Sequence, residues 1–364
     1  MRIIVCGGGT GGHFYPGYVI AKELIKTKNT VVMAVKKNDI SLDLLKEEDI
    51  PFVEIDMIAL PRSLNPIKYI KFFIKLIKSI FFSLRIMNDF KPQRVLGTGS
   101  YVAFPLILAA KIKVIKTFIH ESNAIYGFGN IISGYFCDKV FNGLPLKDKR
   151  FEKKSILTGT PIRENFLKEV DINEIIKKFK ISENDKVITV FGGSQGSMNI
   201  NDAIYHFVLK NKTEKLGFKI IQITGKKNFN EIKEKYERYE IINENLILFP
   251  YYENMEELYF ISDLVISRSG ASTIAELIYT KTPAILIPLS TASLNHQYEN
   301  ARILFENNCA IIIKDDENLR YNLIKNIFYL FKGNRIEVMR KSYSHLKIPS
   351  GKSVLDIIIS QITS

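Results

Sequence analysis

The sequence lacks tryptophan altogether, contains only three cysteines and has fewer acidic than basic residues. Cys6, Cys137 and Cys309 lie far apart and form no CxxC pair, which argues against a disulfide-stabilised secreted domain and against a cysteine-based metal site. We therefore expect reduced, mostly buried thiols in a cytosolic protein. No stretch of about 20 residues is free of charges, so a membrane-spanning helix is not expected. The apolar run that precedes the first glycines is too short for a signal peptide.

The deficit of acidic residues leaves the chain strongly basic. It has 51 Lys and Arg against 38 Asp and Glu, a formal net charge of +13. A surplus of this kind is typical of proteins that bind nucleic acid, an anionic membrane surface or a phosphorylated substrate. A lysine-rich proteome produces the same surplus without any such partner, so the charge alone leaves these possibilities open.

Short apolar runs alternate with helical patterns along all 364 residues. The runs extend from RIIVC at residue 2 to AIIIK at residue 310, are bounded by Gly and Pro, and are apolar at almost every position. Such runs are typical of parallel strands covered by helices on both faces. They predict an α/β protein of two Rossmann-like domains that face each other across a cleft. We place the boundary in LTGTPIRENF, with one domain over residues 1–162 and the other over residues 163–347.

The first glycine-rich turn follows the first predicted strand. Gly7, Gly9 and Gly12 form a GxGxxG pattern, which brings bare backbone and helix N–H groups against a diphosphate. We expect a helix to follow, with Pro16 in its first turn. A dinucleotide-binding fold also requires an acid at the end of the second strand, where this chain has lysines and Asp39 is the first acid. Tight turns need glycine even without a ligand, so this turn alone does not establish a diphosphate site.

Two further turns of the same kind follow predicted strands in the second half. One is GGSQGS, with Gly192, Gly193 and Gly196. The other is RSGASTIAEL, in which Arg268 precedes small residues that lead into a helix. Ligands of parallel sheets bind outside the carboxyl ends of the strands, so bare turns in both domains predict a diphosphate on each reactant. A nucleotide-sugar transferase whose acceptor is itself a pyrophosphate meets this requirement, and it needs no bound cofactor.

Seven motifs occur in the order and approximate spacing of one family. They are GGTGGHFYP, GTGSY, HESN, GTPIR, GGSQGS, SRSGASTIAEL and HQYENA. On these motifs the chain resembles the MurG family of glycosyltransferases over nearly its whole length. The resemblance implies a GT-B fold, no cofactor, and inverting transfer of N-acetylglucosamine (GlcNAc) from UDP-GlcNAc to the 4-hydroxyl of undecaprenyl-pyrophosphoryl-N-acetylmuramoyl-pentapeptide in peptidoglycan synthesis. It also implies a peripheral position at the cytoplasmic face of the bacterial cell membrane, and a C-terminal helix over residues 348–364 that packs on the first domain.

The resemblance also assigns residues to the two substrates. The expected contacts to UDP-GlcNAc are Thr10, Gly11, Gly12, Asn123, Arg163, Ser194, Tyr252, Ala271, Ser272, Thr273, Ile274, Ala275, Glu276 and Gln297. The expected acceptor loop comprises Gly9, Gly97, Gly99 and Tyr101. Glu276 is expected to accept hydrogen bonds from the ribose hydroxyls, since a carboxylate can accept from two adjacent hydroxyls, and Tyr252 to meet the uracil through its backbone. Three residues depart from the family's usual Gly, Gln and Asn and weaken the acceptor details only: Ser100, Ser122 and Thr160.

Two residues are candidates for the general base that takes the proton of the attacking hydroxyl. His13 ends the first glycine turn, and histidine side chains ordinarily titrate near neutrality; a helix-capping or packing role is the alternative. Glu121, in HESN, is the second candidate, and the sequence does not decide between the two. His120 and His296 are expected to serve in binding. The glycine turns, the helix N-termini and Arg268 are expected to stabilise the leaving UDP without a metal ion.

One stretch outside the motifs, residues 65–90, has the pattern of a basic amphipathic helix. Four lysines recur at intervals of three and four and share one face: Lys68, Lys71, Lys75 and Lys78. The remaining arc is mostly apolar and includes Phe72, Phe73, Phe81 and Phe82. We predict that this helix lies in the headgroup layer of an anionic membrane surface. The alternative is that the apolar arc packs on the sheet while the lysines are solvated.

Four other functions compete with this one. A glycosyltransferase that acts on diacylglycerol would not need the pyrophosphate site predicted at the first turn and GTGSY, and a sugar-nucleotide epimerase would not need the basic amphipathic helix. A dehydrogenase is disfavoured by Lys36 and Lys37, which stand where the ribose-binding acid would be. A nucleic-acid-binding protein would use the charge, but the lysines alternate with aliphatic residues and the sequence contains no recognised nucleic-acid module. We therefore expect no nucleic-acid partner.

Overall fold

The computed structural model describes residues 1–9, 11–39, 41–61, 65–193, 195–210, 217–239, 245–290 and 295–364. The chain forms two compact units. The first consists of Met1–Glu164 and Ile348–Ser364, and the second of Asn165–Lys347. Each unit is a parallel sheet whose strands alternate with helices, so the predicted α/β architecture of two Rossmann-like domains is confirmed. The assignment of acceptor and donor to these units stays a prediction.

Seven strands form the sheet of the first unit: β1 (Arg2–Cys6), β2 (Thr30–Lys36), β3 (Phe52–Ile55), β4 (Arg94–Gly97), β5 (Lys116–Glu121), β6 (Lys139–Asn142) and β7 (Ser155–Leu157). They pair in parallel in the spatial order β3-β2-β1-β4-β5-β6-β7. The chain order reverses between β1 and β4, where Cys6 pairs with Gly97. Ligands of doubly wound sheets bind at such a reversal, outside the carboxyl ends of the strands. The topology therefore points to the turns that follow β1 and β4.

The described helices of the first unit are α1 (Gly11–Lys26), α2 (Leu42–Glu47), α3 (Pro66–Phe90), α4 (Ala103–Ile112), α5 (Phe128–Phe136) and α14 (Lys352–Thr363). Because α1 begins at Gly11, the expectation that Pro16 lies in its first turn is wrong: Pro16 lies inside the helix. Proline has no N–H, so the helix lacks one backbone hydrogen bond at this point. The last helix, α14, packs on α1, and the carbonyl of Ile362 accepts a hydrogen bond from Arg94 Nε at 3.0 Å.

Six strands form the sheet of the second unit: β8 (Lys186–Phe191), β9 (Phe218–Ile223), β10 (Leu246–Phe249), β11 (Leu264–Ser267), β12 (Ala284–Leu286) and β13 (Ala310–Ile312). Their parallel order is β10-β9-β8-β11-β12-β13, which reverses between β8 and β11. The described helices of this unit are α6 (Ile172–Lys178), α7 (Met198–Lys210), α8 (Phe229–Arg238), α9 (Met255–Ile261), α10 (Ala271–Thr280), α11 (His296–Glu306), α12 (Leu319–Phe331) and α13 (Arg335–Ser342). GGSQGS and SRSG follow the two strands at the reversal.

The central strands of both sheets are buried, as continuous apolar runs between helical layers require, and the edge strands are partly exposed. In the first unit, Ile4 and Ile107 belong to one apolar cluster that also includes the inner side of α3. In the second unit, Val190 and Leu323 belong to another. The three cysteines are free and buried, as expected. Burial of the sheets leaves their carboxyl edges as the places where polar turns can meet a ligand.

Candidate active site

The first glycine turn connects β1 to α1. A Cβ built on Gly7 would lie 2.7 Å from a backbone carbonyl oxygen of α1, and Gly9 has a φ of +83°, so the turn itself needs both glycines. A Cβ on Gly12 would meet no described atom within 4 Å. Gly11 and Gly12 begin α1, so their N–H groups have no acceptor within the helix. The turn thus presents bare, electropositive backbone on an open side. Thr10 lies outside the described residues.

Asp39 holds this turn in place. Its Oδ2 accepts a hydrogen bond from the Gly9 N–H at 2.6 Å, and its Oδ1 accepts from the N–H and the hydroxyl of Ser41 at 3.1 and 2.7 Å. The carboxylate is buried. Both carboxylate oxygens of Asp39 are therefore used by hydrogen bonds to this segment. Asp39 does not serve as the ribose-binding acid that a dinucleotide site requires.

The imidazole of His13 lies against the loop that follows β4. His13 is the third residue of α1, and its carbonyl oxygen accepts a hydrogen bond from Thr98 Oγ1 at 2.6 Å. A Cβ built on Gly99 would lie only 2.5 Å from His13 Nδ1, and Gly99 has a φ of +94°. The pairing of β1 with β4 thus brings the first glycine turn and the GTGSY loop together, although Thr98 and His13 are 85 positions apart.

The other members of the predicted acceptor loop serve its packing. A Cβ on Gly97 would lie 2.9 Å from Ala103 Cβ, so Gly97 is needed where α4 begins. Ser100, which stands where the family usually has glycine, has a φ of +71°. A serine in this left-handed conformation is strained, whereas a glycine would adopt it without that cost in free energy. Tyr101 is half-buried, and its backbone nitrogen lies 3.6 Å from a Cβ built on Gly129 at the start of α5.

Glu121, at the end of β5, is surrounded by hydrogen-bond donors. Its Oε1 accepts from the N–H and from the side-chain amide of Asn123, both at 3.0 Å. Its Oε2 accepts from the Gly127 N–H at 2.8 Å and from Asn130 Nδ2 at 2.9 Å. These four bonds match the capacity of a carboxylate, and the group is buried. The arrangement suits a residue that holds the loop of Asn123 in place and does not suit a general base. Asn130, which the sequence analysis missed, completes it.

His120 is a buried cross-link. Its Nε2 lies 3.0 Å from the Gly159 carbonyl oxygen and its Nδ1 lies 3.3 Å from Ser122 Oγ. A carbonyl can only accept, so Nε2 carries the proton and the Ser122 hydroxyl donates to Nδ1. Burial lowers the pKa of His120 more than the Gly159 bond raises it, which keeps the imidazole neutral. Its expected binding role is not supported, because both ring nitrogens are used inside the unit. His296 is half-buried at the first position of α11.

In the second unit, the turn after β8 interlocks with the loop after β9. Gly193 and Gly196 have φ values of +84° and +76°. A Cβ on Gly196 would lie 2.1 Å from the Thr224 carbonyl oxygen, and a Cβ on Gly225 would lie 2.6 Å from the backbone oxygen on the facing turn. Close packing of two loops therefore accounts for two of these glycines. Ser194, the predicted diphosphate contact, lies outside the described residues.

The interlocked loops carry a lysine that the sequence analysis missed. Lys226 follows Gly225, is exposed, and lies over the ring of Tyr251 at 5.3 Å from its centroid. This cation stands at the carboxyl edge of the sheet beside the segment expected to meet the uracil. The signal that could have found it is TGKK at the end of β9, where a glycine and two cations end a buried strand.

The N-terminus of α10 is the second bare helix end at a strand-order reversal. Gly270 precedes it in an extended conformation, and a Cβ there would meet no described atom within 4 Å. Ser269 Oγ donates to the Gln297 carbonyl oxygen at 2.8 Å, and Gln297 Oε1 accepts from the Leu289 N–H at 2.9 Å. Because its oxygen is used in this way, the amide nitrogen is the group of Gln297 that can donate to a sugar hydroxyl.

The first turn of α10 combines backbone N–H groups that have no acceptor inside the helix with a side chain that packs in the core. Ala271, Ser272 and Thr273 supply N–H groups without an acceptor inside the helix. Ile274 is fully buried, and its N–H donates to the Gly270 carbonyl oxygen at 3.0 Å. The side chain of Ile274 therefore belongs to the core, and its expected contact with the donor is not supported.

Glu276 and Tyr252 are each oriented by a neighbour. Glu276 Oε2 accepts a hydrogen bond from the buried Tyr259 hydroxyl at 2.9 Å, and Ala275 beside it is also buried. The Tyr252 hydroxyl donates to Glu257, and the Tyr252 ring packs against the Phe249 ring in a tilted arrangement, with centroids 4.8 Å apart. The Tyr252 side chain is thus held by contacts within the unit. Asn123 and Arg163 both lie in the first unit.

Arg268 belongs to a buried ion pair. Its Nη2 lies 2.7 Å from Asp315 Oδ2, and the two side chains are 11% and 4% exposed. The same guanidinium donates to Ser197 Oγ at 2.7 Å and to the Ile287 carbonyl oxygen at 3.1 Å. With these bonds formed, the expected contribution of Arg268 to the leaving UDP is not supported. Among the described residues, no group of three or more His, Cys, Asp or Glu could hold a metal ion.

The inner side of α3 packs into the core of the first unit. Phe72 and Leu76, one helical turn apart, contact the apolar cluster, and Ser79 and Ser83 are buried on the same side. The expectation that Phe72 belongs to a membrane-facing band is therefore wrong. An arc as wide as this one covers two sides of a helix, and Phe72 lies on the side that meets α4.

The rest of α3 is exposed. Its apolar residues on the side away from the core form what we call the outer apolar face: Ile67, Ile70, Phe73, Ile74, Ile77 and Phe81. Lys68, Lys71, Lys78 and Phe82 are exposed beside it, whereas Lys75 forms an ion pair with Asp56. Among the described residues, no helix has the length and apolar character needed to cross a bilayer.

Comparison with protein families covers most of the chain. Residues 3–142 match the glycosyltransferase family 28 N-terminal domain, and residues 187–354 match the glycosyltransferase family 28 C-terminal domain.

Curated relatives match over the full length. A transferase from Elusimicrobium minutum is 37% identical over 364 residues, which are 100% of this chain and 99% of the relative. One from Halothermothrix orenii is 33% identical over 98% of this chain and 97% of the relative. Both bear the name UDP-N-acetylglucosamine–N-acetylmuramyl-(pentapeptide) pyrophosphoryl-undecaprenol N-acetylglucosamine transferase. In fold, the chain is similar to MurG from Acinetobacter baumannii, with a TM-score of 0.79 at 24% identity over 100% of this chain and 99% of that one. A glycosyltransferase from Rickettsia africae has a TM-score of 0.66 at 15% identity over 100% and 97%.

Proposed function

The chain belongs to glycosyltransferase family 28 and, within it, to the MurG enzymes named above; on this premise we propose how its residues carry out their reaction. The chain is a GT-B glycosyltransferase that uses UDP-GlcNAc. It transfers GlcNAc to the 4-hydroxyl of undecaprenyl-pyrophosphoryl-N-acetylmuramoyl-pentapeptide in peptidoglycan synthesis. The assignment of individual residues to the two substrates is our proposal.

The second unit binds the donor. The N-terminus of α10 and the turn after β8 receive the diphosphate, because both follow the strands at the reversal point of the sheet and the helix N-terminus presents backbone N–H groups there. Glu276, oriented by Tyr259, accepts from the ribose hydroxyls, and the backbone of Tyr252 meets the uracil. The amide nitrogen of Gln297 donates to the sugar. The negative charge that develops on UDP as it leaves is stabilised by the same helix N-terminus.

The first unit binds the acceptor, and His13 is the general base. The imidazole edge at Nδ1 faces Gly99, so Nε2 is the nitrogen that faces the acceptor. Nε2 takes the proton of the 4-hydroxyl as that oxygen attacks the anomeric carbon, and the bond from this carbon to the diphosphate oxygen breaks. The acceptor pyrophosphate rests on the bare backbone of Gly11 and Gly12, which we assign to the acceptor in place of their expected contact with UDP-GlcNAc. Glu121 acts as a positioning residue that holds the loop of Asn123.

The outer apolar face of α3 binds the membrane surface. Its six exposed Ile and Phe side chains can enter the boundary of the acyl chains, while the lysines beside them meet anionic headgroups. An acceptor with an undecaprenyl chain must be reached at a membrane. We infer that the chain works as a peripheral protein at the cytoplasmic face of the cell membrane, with this helix as its contact.

The observation that carries the reaction is the 37% identity over the entire chain to a curated transferase. The test is transfer of labelled GlcNAc from UDP-GlcNAc to the lipid-linked, pyrophosphoryl MurNAc-peptide, with diacylglycerol as a parallel acceptor. We expect transfer to the first acceptor alone. Transfer to diacylglycerol, or release of UDP without transfer, would contradict the acceptor assignment.

A further inference from the structure

A buried ion pair lies at the carboxyl edge of the second unit, between Arg268 and Asp315. Asp315 lies three residues after the end of β13, in a segment that no motif marks. Its Oδ2 lies 2.7 Å from Arg268 Nη2, and its Oδ1 accepts from Asn199 Nδ2 at 2.8 Å. Asp315 therefore contacts both the residue that precedes α10 by three positions and the first turn of α7.

Arg268 extends this network to the neighbouring strands. Its Nη2 also donates to the hydroxyl of Ser197, the last residue of the β8 turn, at 2.7 Å. Its Nη1 donates at 3.1 Å to the carbonyl oxygen of Ile287, directly after β12. The pair thus links the carboxyl ends of β8, β11, β12 and β13, four strands that are adjacent in the sheet.

Burial isolates the Arg268–Asp315 ion pair from solvent. Asp315 is 4% exposed and Arg268 is 11% exposed in their side chains, so water screens the pair little. A guanidinium deprived of its carboxylate would keep its charge and would turn toward another anion or toward solvent. Either change would release Ser197 and Ile287 and alter the two turns that flank the diphosphate.

We propose that Asp315 is a positioning residue of the donor site, which fixes the turn after β8 and the N-terminus of α10 in the arrangement that binds the UDP diphosphate. This inference rests on the proposed donor site. Asp315 touches no substrate; it acts through Arg268. The consequence is specific to the donor, because every strand end that the pair joins lies in the second unit.

The experiment compares Asp315→Asn with Glu317→Gln, an exposed carboxylate-to-amide change two positions away. We expect Asp315→Asn to raise both the KM for UDP-GlcNAc and the calorimetric Kd of UDP about tenfold, with kcat and the acceptor KM changed less than about threefold. Glu317→Gln should leave all four unchanged. Equal UDP binding by Asp315→Asn and wild type would overturn the inference, and failure of the wild type to bind UDP would overturn the donor site and the inference together.

A double variant separates positioning from simple stability. Asp315→Asn with Arg268→Gln removes the unpaired buried charge, so its Tm should return toward wild type. Glutamine is too short to reach Ser197 and Ile287 together, so the donor KM should stay high. A double variant that recovers both Tm and donor KM would show that Asp315 only neutralises a buried cation. Asp315→Glu keeps the charge and is expected to fold. The proposal would also be contradicted if this variant and the double variant both had the donor KM of the wild type.

Discussion

The imidazole of His13 rests on the bare backbone of Gly99, so closely that a Cβ at Gly99 would lie 2.5 Å from His13 Nδ1 and 2.9 Å from its Cε1. The two residues belong to different motifs and meet because β1 pairs with β4. Gly99 therefore has two reasons to be glycine: its φ of +94°, and the ring that occupies the place of its side chain.

Replacement of Gly99 by alanine should displace the proposed base. A methyl group there must push the His13 ring away, and a displacement of about 1 Å at a catalytic group can cost about 100-fold in rate. We expect kcat for Gly99→Ala to fall by about that factor. The control is Gly333→Ala, which has a similar φ of +73° but no described atom within 4 Å of its Cβ. Its kcat should stay within about threefold of wild type, so a similar loss in both variants would argue against the contact.

The two candidates for the base give opposite kinetic patterns. If His13 is the base, His13→Ala should lower kcat by about 100- to 10,000-fold with little change in Tm. Glu121→Gln should lower Tm, because its amide nitrogen would face donors such as the Gly127 N–H, and a buried unsatisfied donor costs about 1–3 kcal/mol. Its kcat should fall by only about tenfold. Kinetics and thermal unfolding of both variants decide the question: a His13→Ala rate within about threefold of wild type would exclude His13.

Burial of His120 should make stability depend on pH. Its pKa in the folded chain is lowered below the ordinary value, so between these two pKa values the unfolded chain binds a proton that the folded chain does not. The free energy of unfolding should therefore decrease as the pH falls below about 6.5. The dependence should be weaker in His120→Gln than in wild type. His345→Gln, at an exposed histidine, is the matched control and should follow the wild-type curve.

Removal of aromatic side chains from the outer apolar face of α3 should release the protein from anionic vesicles. Phe73→Ser with Phe81→Ser should lower the vesicle partition coefficient at least tenfold, since burial of one large apolar side chain contributes about 1.5–3 kcal/mol. The control is Tyr321→Ser with Phe328→Ser on α12, because Tyr321 and Phe81 are both 68% exposed. It should bind vesicles as the wild type does. Equal loss in both double variants would argue against a specific face.

The lysines beside that face should make the binding sensitive to salt. Each cation near an anionic surface contributes about 1 kcal/mol at low ionic strength. Lys68→Gln with Lys71→Gln should therefore weaken vesicle binding at low salt and reduce its salt dependence. Lys75→Gln should have a smaller effect, because Lys75 is already paired with Asp56. Sedimentation with anionic vesicles at two salt concentrations measures both.

The sequence by itself determined the architecture. Continuous apolar runs between helical patterns can be buried only as parallel strands covered on both faces, and both sheets have this form. It also located the turns at the strand-order reversals, because a glycine cluster directly after a buried strand is a local signal that needs no partner.

Only the tertiary structure decided what each residue of those turns does. Gly7 is required by close packing and Gly9 by its φ, whereas Gly12 faces an open side of the turn. The sequence shows glycine at all three positions and does not distinguish these reasons. One of the hydrogen bonds that saturate the Glu121 carboxylate comes from Asn130. The ion pair of Arg268 is formed with Asp315, which lies 47 positions later in the chain. The apolar arc of α3 is wide enough that either side of the helix could face the core. In the structure α4 packs on one side, so that Phe72 faces the core and Phe81 is exposed. Sequence periodicity indicates which residues share a face of one helix or strand. The segments that pack on that face are distant in sequence, and only folding brings them together.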